Sequence, residues 1–145
     1  MILYADDSRD DQFLLKAASK DAGIADRYVM VDDGAKAIEY LGRAGTEPGV
    51  PVPGIALLDI KMPYKDGLET LKWIRASPRW RCLPVLMLTS SLHPGDIDRC
   101  YEHGVNAYLV KPSSAMELKE LASALKSFWL RFNEYPSCVR GKPAS

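Results

Sequence analysis

The stretch LYADDSRDD, residues 3–11, runs from a short apolar segment straight into four aspartates, Asp6, Asp7, Asp10 and Asp11. Its first half reads as a buried strand, and carboxylates crowded at the end of such a strand repel one another unless a cation balances them. Four more apolar runs of similar length follow along the chain: RYVMV (27–31), GIALLD (54–59), PVLMLT (84–89) and AYLVK (107–111). Near-continuous hydrophobicity over so few residues marks strands covered on both faces, as in a parallel sheet.

Each run is followed by a segment of helical character. The last shows it best: Leu118, Leu121, Leu125, Phe128 and Phe132 recur at steps of three and four and trace one helical face. Ser113 or Ser114 caps its start, with Glu117 placed for a capping box. Shorter helices are predicted over roughly 9–22, 34–44, 66–76 and 95–103, and Gly23, Gly45 and Gly104 stand as stop signals. Fivefold alternation of strand and helix implies right-handed crossovers, hence a doubly wound α/β domain with helices on both sides of one parallel sheet. GTEPGVPVPG (45–54), with three prolines and three glycines, interrupts the rhythm as a loop.

With 145 residues, 47% of them hydrophobic, the chain can bury the core of one domain. Lysine plus arginine and aspartate plus glutamate stand at 19 each, so no overall basic field draws it to nucleic acid. No run reaches membrane-spanning length and the chain opens directly on its first strand, which leads to the expectation of a cytoplasmic protein. The three cysteines, Cys82, Cys100 and Cys138, are spaced like neither a zinc site nor a disulfide framework and suit a reducing compartment.

In open parallel sheets, ligands bind beyond the carboxyl ends of the strands. Asp6 and Asp7 end the first strand, Asp59 the third, Thr89 the fourth and Lys111 the fifth. Taken singly, each has a plainer use: Asp7 or Ser8 as a helix cap, Lys111 as a solvated turn residue before Pro112, Thr89 as a strand-end cap. Together on one edge they compose a different object. Hard oxygen ligands suit Mg²⁺ better than zinc, and a carboxylate, a divalent metal, an ammonium and a hydroxyl make a site for a phosphoryl group.

The segments ADDS (5–8), LLDIKMPYKDG (57–67), PVLMLTSS (84–91) and AYLVKP (107–112) resemble, in this order, the receiver domain of two-component response regulators, a flavodoxin-like fold of five helices and a parallel sheet in the strand order 2-1-3-4-5. The resemblance runs from the first residue to about Phe132, giving a receiver at 1–133 and a short tail at 134–145 without an output domain. It implies that Asp59 accepts a phosphoryl group from a sensor histidine kinase or a histidine phosphotransfer protein. Mg²⁺ would be held by Asp59, Asp7, Asp6 (largely through water) and the backbone carbonyl of Lys61. Lys111 would pair with the acceptor, Thr89 and Tyr108 would form the conformational switch, and the Lys111–Pro112 bond would be cis. Such a protein signals by contact and is not a turnover enzyme. A receiver fold that never switches, acting as an interaction module, is the rival; a haloacid dehalogenase-type phosphatase would need a second aspartate where Lys61 stands.

Two departures stand out. Ser90 follows the switch threonine where relatives favour a smaller residue, and Lys61 and Ser91 occupy positions that tune the life of the phosphoform in this family. The loop at 45–54 and SFWLRF (127–132) are similar to single-domain regulators that partner phytochrome-type kinases. That subgroup implies homodimers through the face of the fourth and fifth helices, with Tyr101 and Trp129 as interface aromatics.

Overall fold

The computed structural model describes residues 1–139; the rest of the expected tail, 140–145, lies outside the described residues. Strands β1 (Ile2–Ala5), β2 (Tyr28–Val31), β3 (Ile55–Leu58), β4 (Val85–Thr89) and β5 (Ala107–Val110) form one parallel sheet in the order β2-β1-β3-β4-β5. Between and after them run α1 (Arg9–Ala18), α2 (Gly34–Arg43), α3 (Gly67–Ala76), α4 (Pro94–Glu102) and α5 (Ala115–Ala124). The expected architecture and strand order are both present. No described helix is long and apolar enough to cross a membrane.

Alternate residues of each central strand enter opposite cores. Leu3, Ala5, Ala56, Leu58, Val85 and Met87 pack on the side of α2, α3 and α4, while Ile2, Tyr4, Ile55, Leu57, Leu86 and Leu88 pack with Leu15 of α1 and Leu125. The three central strands are buried throughout, whereas β2 and β5, at the edges, are only half-buried. This is the pattern a sheet covered on both faces imposes.

The caps resolve what the sequence left open. Ser8, not Asp7, caps α1 by accepting the Asp11 N–H, Ser114 caps α5, and Asp66 forms a capping box with Glu69 on α3. Asp7 is thereby released from structural duty. Helix α1 stops at Ala18, short of the expected 22, because the Ser19 hydroxyl donates to the Leu15 carbonyl and residues 20–23 turn away at Gly23.

The last helix departs most. After Ala124 the chain continues as a π-helix, Leu125–Phe132, closed by a bond from the Asn133 N–H to the Phe128 carbonyl. The i→i+5 bonding rotates the face. Leu118, Leu121 and Leu125 point inward as expected, but Trp129 and Leu130 take the next inward places, leaving Phe128 and Phe132 exposed. Beyond it, Tyr135 donates to the Trp129 carbonyl at 2.6 Å, and Tyr135, Cys138 and Val139 pack on the α2–α4 core. The proline-rich loop is also anchored, by Tyr40, whose hydroxyl donates to the Pro51 carbonyl at 2.6 Å.

One close approach ties fold to site. Gly67 opens α3 with its N–H bonded to the Ile60 carbonyl at 2.8 Å, and a Cβ there would stand 2.2 Å from the Asp59 carbonyl oxygen. The obstacle is backbone, so it cannot step aside like a side chain. Gly67→Ala is expected to lower the unfolding free energy by about 1–3 kcal/mol, the usual cost of overpacking; urea titration measures it, and an unchanged midpoint would show that the loop after Asp59 yields freely.

Candidate phosphoryl and metal site

The first backbone bonds beyond the strands place the site residues. The Asp6 N–H donates to Val31 O (3.1 Å), the Asp59 N–H to Ala5 O (3.0 Å) and the Lys111 N–H to Thr89 O (2.8 Å). Each side chain is therefore set by the sheet itself, not by a free loop. Asp7, Ser8, Asp11, Asp59, Lys61, Thr89, Ser90, Ser91 and Lys111 line a cleft of about 350 Å³ over the carboxyl edge.

Carboxylate oxygens of Asp6, Asp7 and Asp59 all lie within 4.8 Å of one another. Asp6 is fully buried, Asp59 nearly so, and Asp7 exposed. An all-oxygen set at this spacing, open on one side, fits a hard divalent cation that keeps part of its water shell. The Lys61 backbone carbonyl, the remaining expected ligand, follows in the same loop.

Lys111 balances the acids. Its Nζ stands 2.7 Å from Asp6 Oδ2, 2.7 Å from Asp11 Oδ2 and 2.9 Å from Asp59 Oδ2, one acceptor for each ammonium proton. Burial disfavours its charge, but Asp11, Asp6 and Asp59 outweigh that and push it above the ordinary lysine range. The Lys111–Pro112 bond, expected cis, is trans. A tertiary amide favours trans by about 0.5–1 kcal/mol, and the long lysine stem reaches all three acids from that backbone.

Asp6 is held on every side. The buried Tyr4 hydroxyl donates to its Oδ2 at 2.6 Å and the Ser8 N–H to its Oδ1 at 2.9 Å. Burial pushes its carboxyl up, against the hydrogen bonds from Lys111, Tyr4 and Ser8. Asp59 accepts the Ile60 N–H on Oδ1 at 2.7 Å while Oδ2 faces Lys111. Among the described residues, no buried polar side-chain atom lacks a partner.

Thr89 is buried at the cleft wall, its Oγ1 accepting the Ser91 N–H at 3.4 Å. Tyr108 does not line the cleft; half-buried, it donates its hydroxyl to the Ser91 carbonyl at 2.8 Å. Ser91 turns its own hydroxyl away, to Asp96 Oδ2 at 2.6 Å, whereas the exposed Ser90 and Lys61 remain on the cleft.

Three participants were missed by sequence reasoning. Asp11 lies one turn into α1, and its Lys111 contact spans 100 residues of chain. Its place in the first turn of α1, four residues after Asp7, is the signal that could have found it. Tyr4 reads as an ordinary strand aromatic, and Gln12, whose amide donates to the Asp6 and Val31 carbonyls at 2.7 and 3.1 Å, as an ordinary helix residue.

Comparisons with known proteins agree with this geometry. The sequence matches the response regulator receiver domain over residues 2–123. It is 36% identical to the probable methanogenesis regulatory protein FilR2 of Methanothrix harundinacea, across 94% of this chain and 87% of that one. Among solved structures, the Mn²⁺-bound form of response regulator Rcp1, a protein known from Synechocystis, superposes with a TM-score of 0.79 at 31% identity, covering 94% of this chain and 98% of the other. The phosphorylated cyanobacterial phytochrome response regulator RcpA superposes with a TM-score of 0.83 at 31% identity, covering 94% and 97%. The acidic cluster, the ammonium that bridges it and the match along nearly the whole chain lead to one statement: this chain belongs to the response regulator receiver domain family of two-component signalling.

Proposed function

We propose that the protein is a phosphoacceptor that takes a phosphoryl group onto Asp59 from a phosphohistidine, with Mg²⁺ held by Asp7, Asp59 and the Lys61 carbonyl and by Asp6 through water. The observation that carries this reading is Asp59 itself, nearly buried, within 4.8 Å of two further carboxylates and 2.9 Å from an ammonium. When bound, the metal would neutralise charge on the transferring group. An Asp59 oxygen attacks phosphorus as the P–N bond to the donor imidazole breaks, yielding an acyl phosphate and a free histidine. Lys111 stays within reach of the new phosphoryl oxygens by exchanging one of its carboxylate partners, and Asp11, the most exposed of the three, is the one to be given up.

Thr89 then donates its hydroxyl to the phosphoryl group, and Tyr108 gives up the Ser91 carbonyl and turns inward. The signal leaves through the receiver's own surface, by protein contact. The donor is a sensor histidine kinase or a histidine phosphotransfer protein, of the phytochrome-type subgroup, in the cytoplasm; likeness to Rcp1 and RcpA supports this assignment. A homodimer through the face of α4 and α5 is supported by the exposure of Tyr101 and Val110. Trp129 packs inward and is withdrawn from that face.

Two measurements test the reading. Incubation with acetyl phosphate and Mg²⁺ is expected to add one phosphate to the wild type by intact mass, and none to Asp59→Asn or to wild type in EDTA. Equal labelling of Asp59→Asn, or none of the wild type even with beryllofluoride as a stand-in, overturns it in favour of a non-switching interaction module. Secondly, Lys61 faces the cleft from its rim. Its ammonium would shield the phosphoryl group from attacking water through an exposed ion pair of about 0.5–1 kcal/mol, so Lys61→Ala is expected to speed loss of the phosphate by about two- to fivefold. An unchanged decay rate removes Lys61 from this role.

A further inference from the structure

Two of the three cysteines meet at the end of the sheet opposite the cleft. Cys82 lies exposed in the turn just before β4, and Cys138 is half-buried in the segment that follows the π-helix. The Cys138 sulfur lies close enough to Cys82 for the two to interact.

The surroundings hold this meeting in place from both sides. Arg75 of α3 donates to the Arg81 carbonyl at 3.0 Å and the Leu83 carbonyl at 2.7 Å, gripping the turn on either side of Cys82, and its Nε and Nη2 reach Gly104 O and Asn106 Oδ1 at 2.9 and 3.0 Å. Arg79 donates to the Cys138 carbonyl and stacks over Trp80, which is buried. A turn closed by the Val139 N–H on the Pro136 carbonyl presents Cys138, and Val139 is itself buried in the core. The thiols are thus carried by two segments that are each bonded down.

We propose that Cys82 and Cys138 form a redox-active dithiol, which a small-molecule disulfide such as oxidised glutathione converts to an intramolecular disulfide that clasps residues 133–139 to the turn before β4. Two observations support it: Arg79, three residues before Cys82, donates to the Cys138 carbonyl and so holds the two segments together, and the Cys138 sulfur interacts with Cys82. Cys82, being exposed, is the attacking sulfur. Its thiolate attacks one sulfur of the glutathione disulfide, forming a mixed disulfide and releasing one glutathione thiolate. The Cys138 sulfur then attacks the Cys82 sulfur and releases the second. Two protein thiols are oxidised, one glutathione disulfide is reduced to two glutathiones, and the two thiol protons go to them. Burial pushes the Cys138 thiol up, with the Cys82 sulfur adding to this and Arg79 opposing it, which suits Cys138 to the second, resolving role. Cys100, buried in α4, takes no part.

The test incubates the reduced full chain with oxidised glutathione, alkylates the free thiols under denaturing conditions and reads intact mass and a non-reducing peptide map. The wild type is expected to fall from three alkylated thiols to one, to remain monomeric, and to yield one linked pair of peptides carrying Cys82 and Cys138. Cys138→Ser is expected to keep glutathione on Cys82, and Cys82→Ser, an exposed change that leaves the core alone, to form no linked pair. Wild type that retains glutathione on Cys82 with Cys138 free, that crosslinks between molecules, or that keeps all three thiols overturns the proposal.

Discussion

The structure is arranged around one ammonium. Lys111 Nζ lies within 2.9 Å of carboxylates from β1's end, α1 and β3's end. Without it, Asp6, Asp7, Asp11 and Asp59 would place four acids in one cleft, and at an effective dielectric near 20 each pair at about 4 Å costs roughly 4 kcal/mol. With it, the cleft still holds an excess of negative charge. That excess makes a divalent cation welcome, and with all three contacts made Lys111 would have to loosen one of them to meet a further anion. Charge thus gathers the site and also keeps it from being fully satisfied.

The rest of the molecule keeps this cluster from relaxing. Asp6, Asp59 and Lys111 are each bonded through their backbone to a neighbouring strand, so repulsion cannot move them without breaking the sheet. Beneath them Tyr4 closes the floor, and beside them Gly67 brings α3 against the Asp59 carbonyl. Farther off, Arg75 ties α3 to the turns before β4 and β5 through four acceptors, and Trp80 bonds its indole N–H to the Leu41 carbonyl at 3.0 Å. Both are planar side chains used as fixed braces, and the Arg75 fork does work that a lysine at position 75 could not do.

What was legible in the sequence follows from what repeats. Apolar runs of four to six residues with helical periods between them identify a parallel sheet, and its carboxyl edge then locates Asp6, Asp7, Asp59, Thr89 and Lys111 together. Features set by a single contact were not legible. Asp11 looks like any acid in a first helical turn until the fold brings Lys111 to it. The π-helix at 125–132 hides because Leu118, Leu121, Leu125, Phe128 and Phe132 satisfy an α-helical spacing perfectly well; the fact that Trp129 and Leu130 make the better inward pair is decided by the core they meet. The trans bond at Pro112 is a similar case, since residue types allow both isomers.

Around Thr89 the same logic extends from the cleft to the surface. The Lys111 N–H holds the Thr89 carbonyl, the Thr89 hydroxyl accepts the Ser91 N–H, and the Ser91 carbonyl accepts the Tyr108 hydroxyl. The Ser91 hydroxyl donates to Asp96, which in turn pairs with Arg99 at 2.7 Å, so the loop after β4 is fastened both to β5 and to the first turn of α4. The 3.4 Å link between Thr89 and Ser91 is the longest in this series, while those from Ser91 outward are 2.6–2.8 Å. A demand on the Thr89 hydroxyl from the cleft would therefore break the weakest link first and leave Ser91 fastened to α4. Packed elements of this kind move between discrete arrangements and do not bend continuously, so the switch proposed above would act first on the amino end of α4, where Ser91 is fastened.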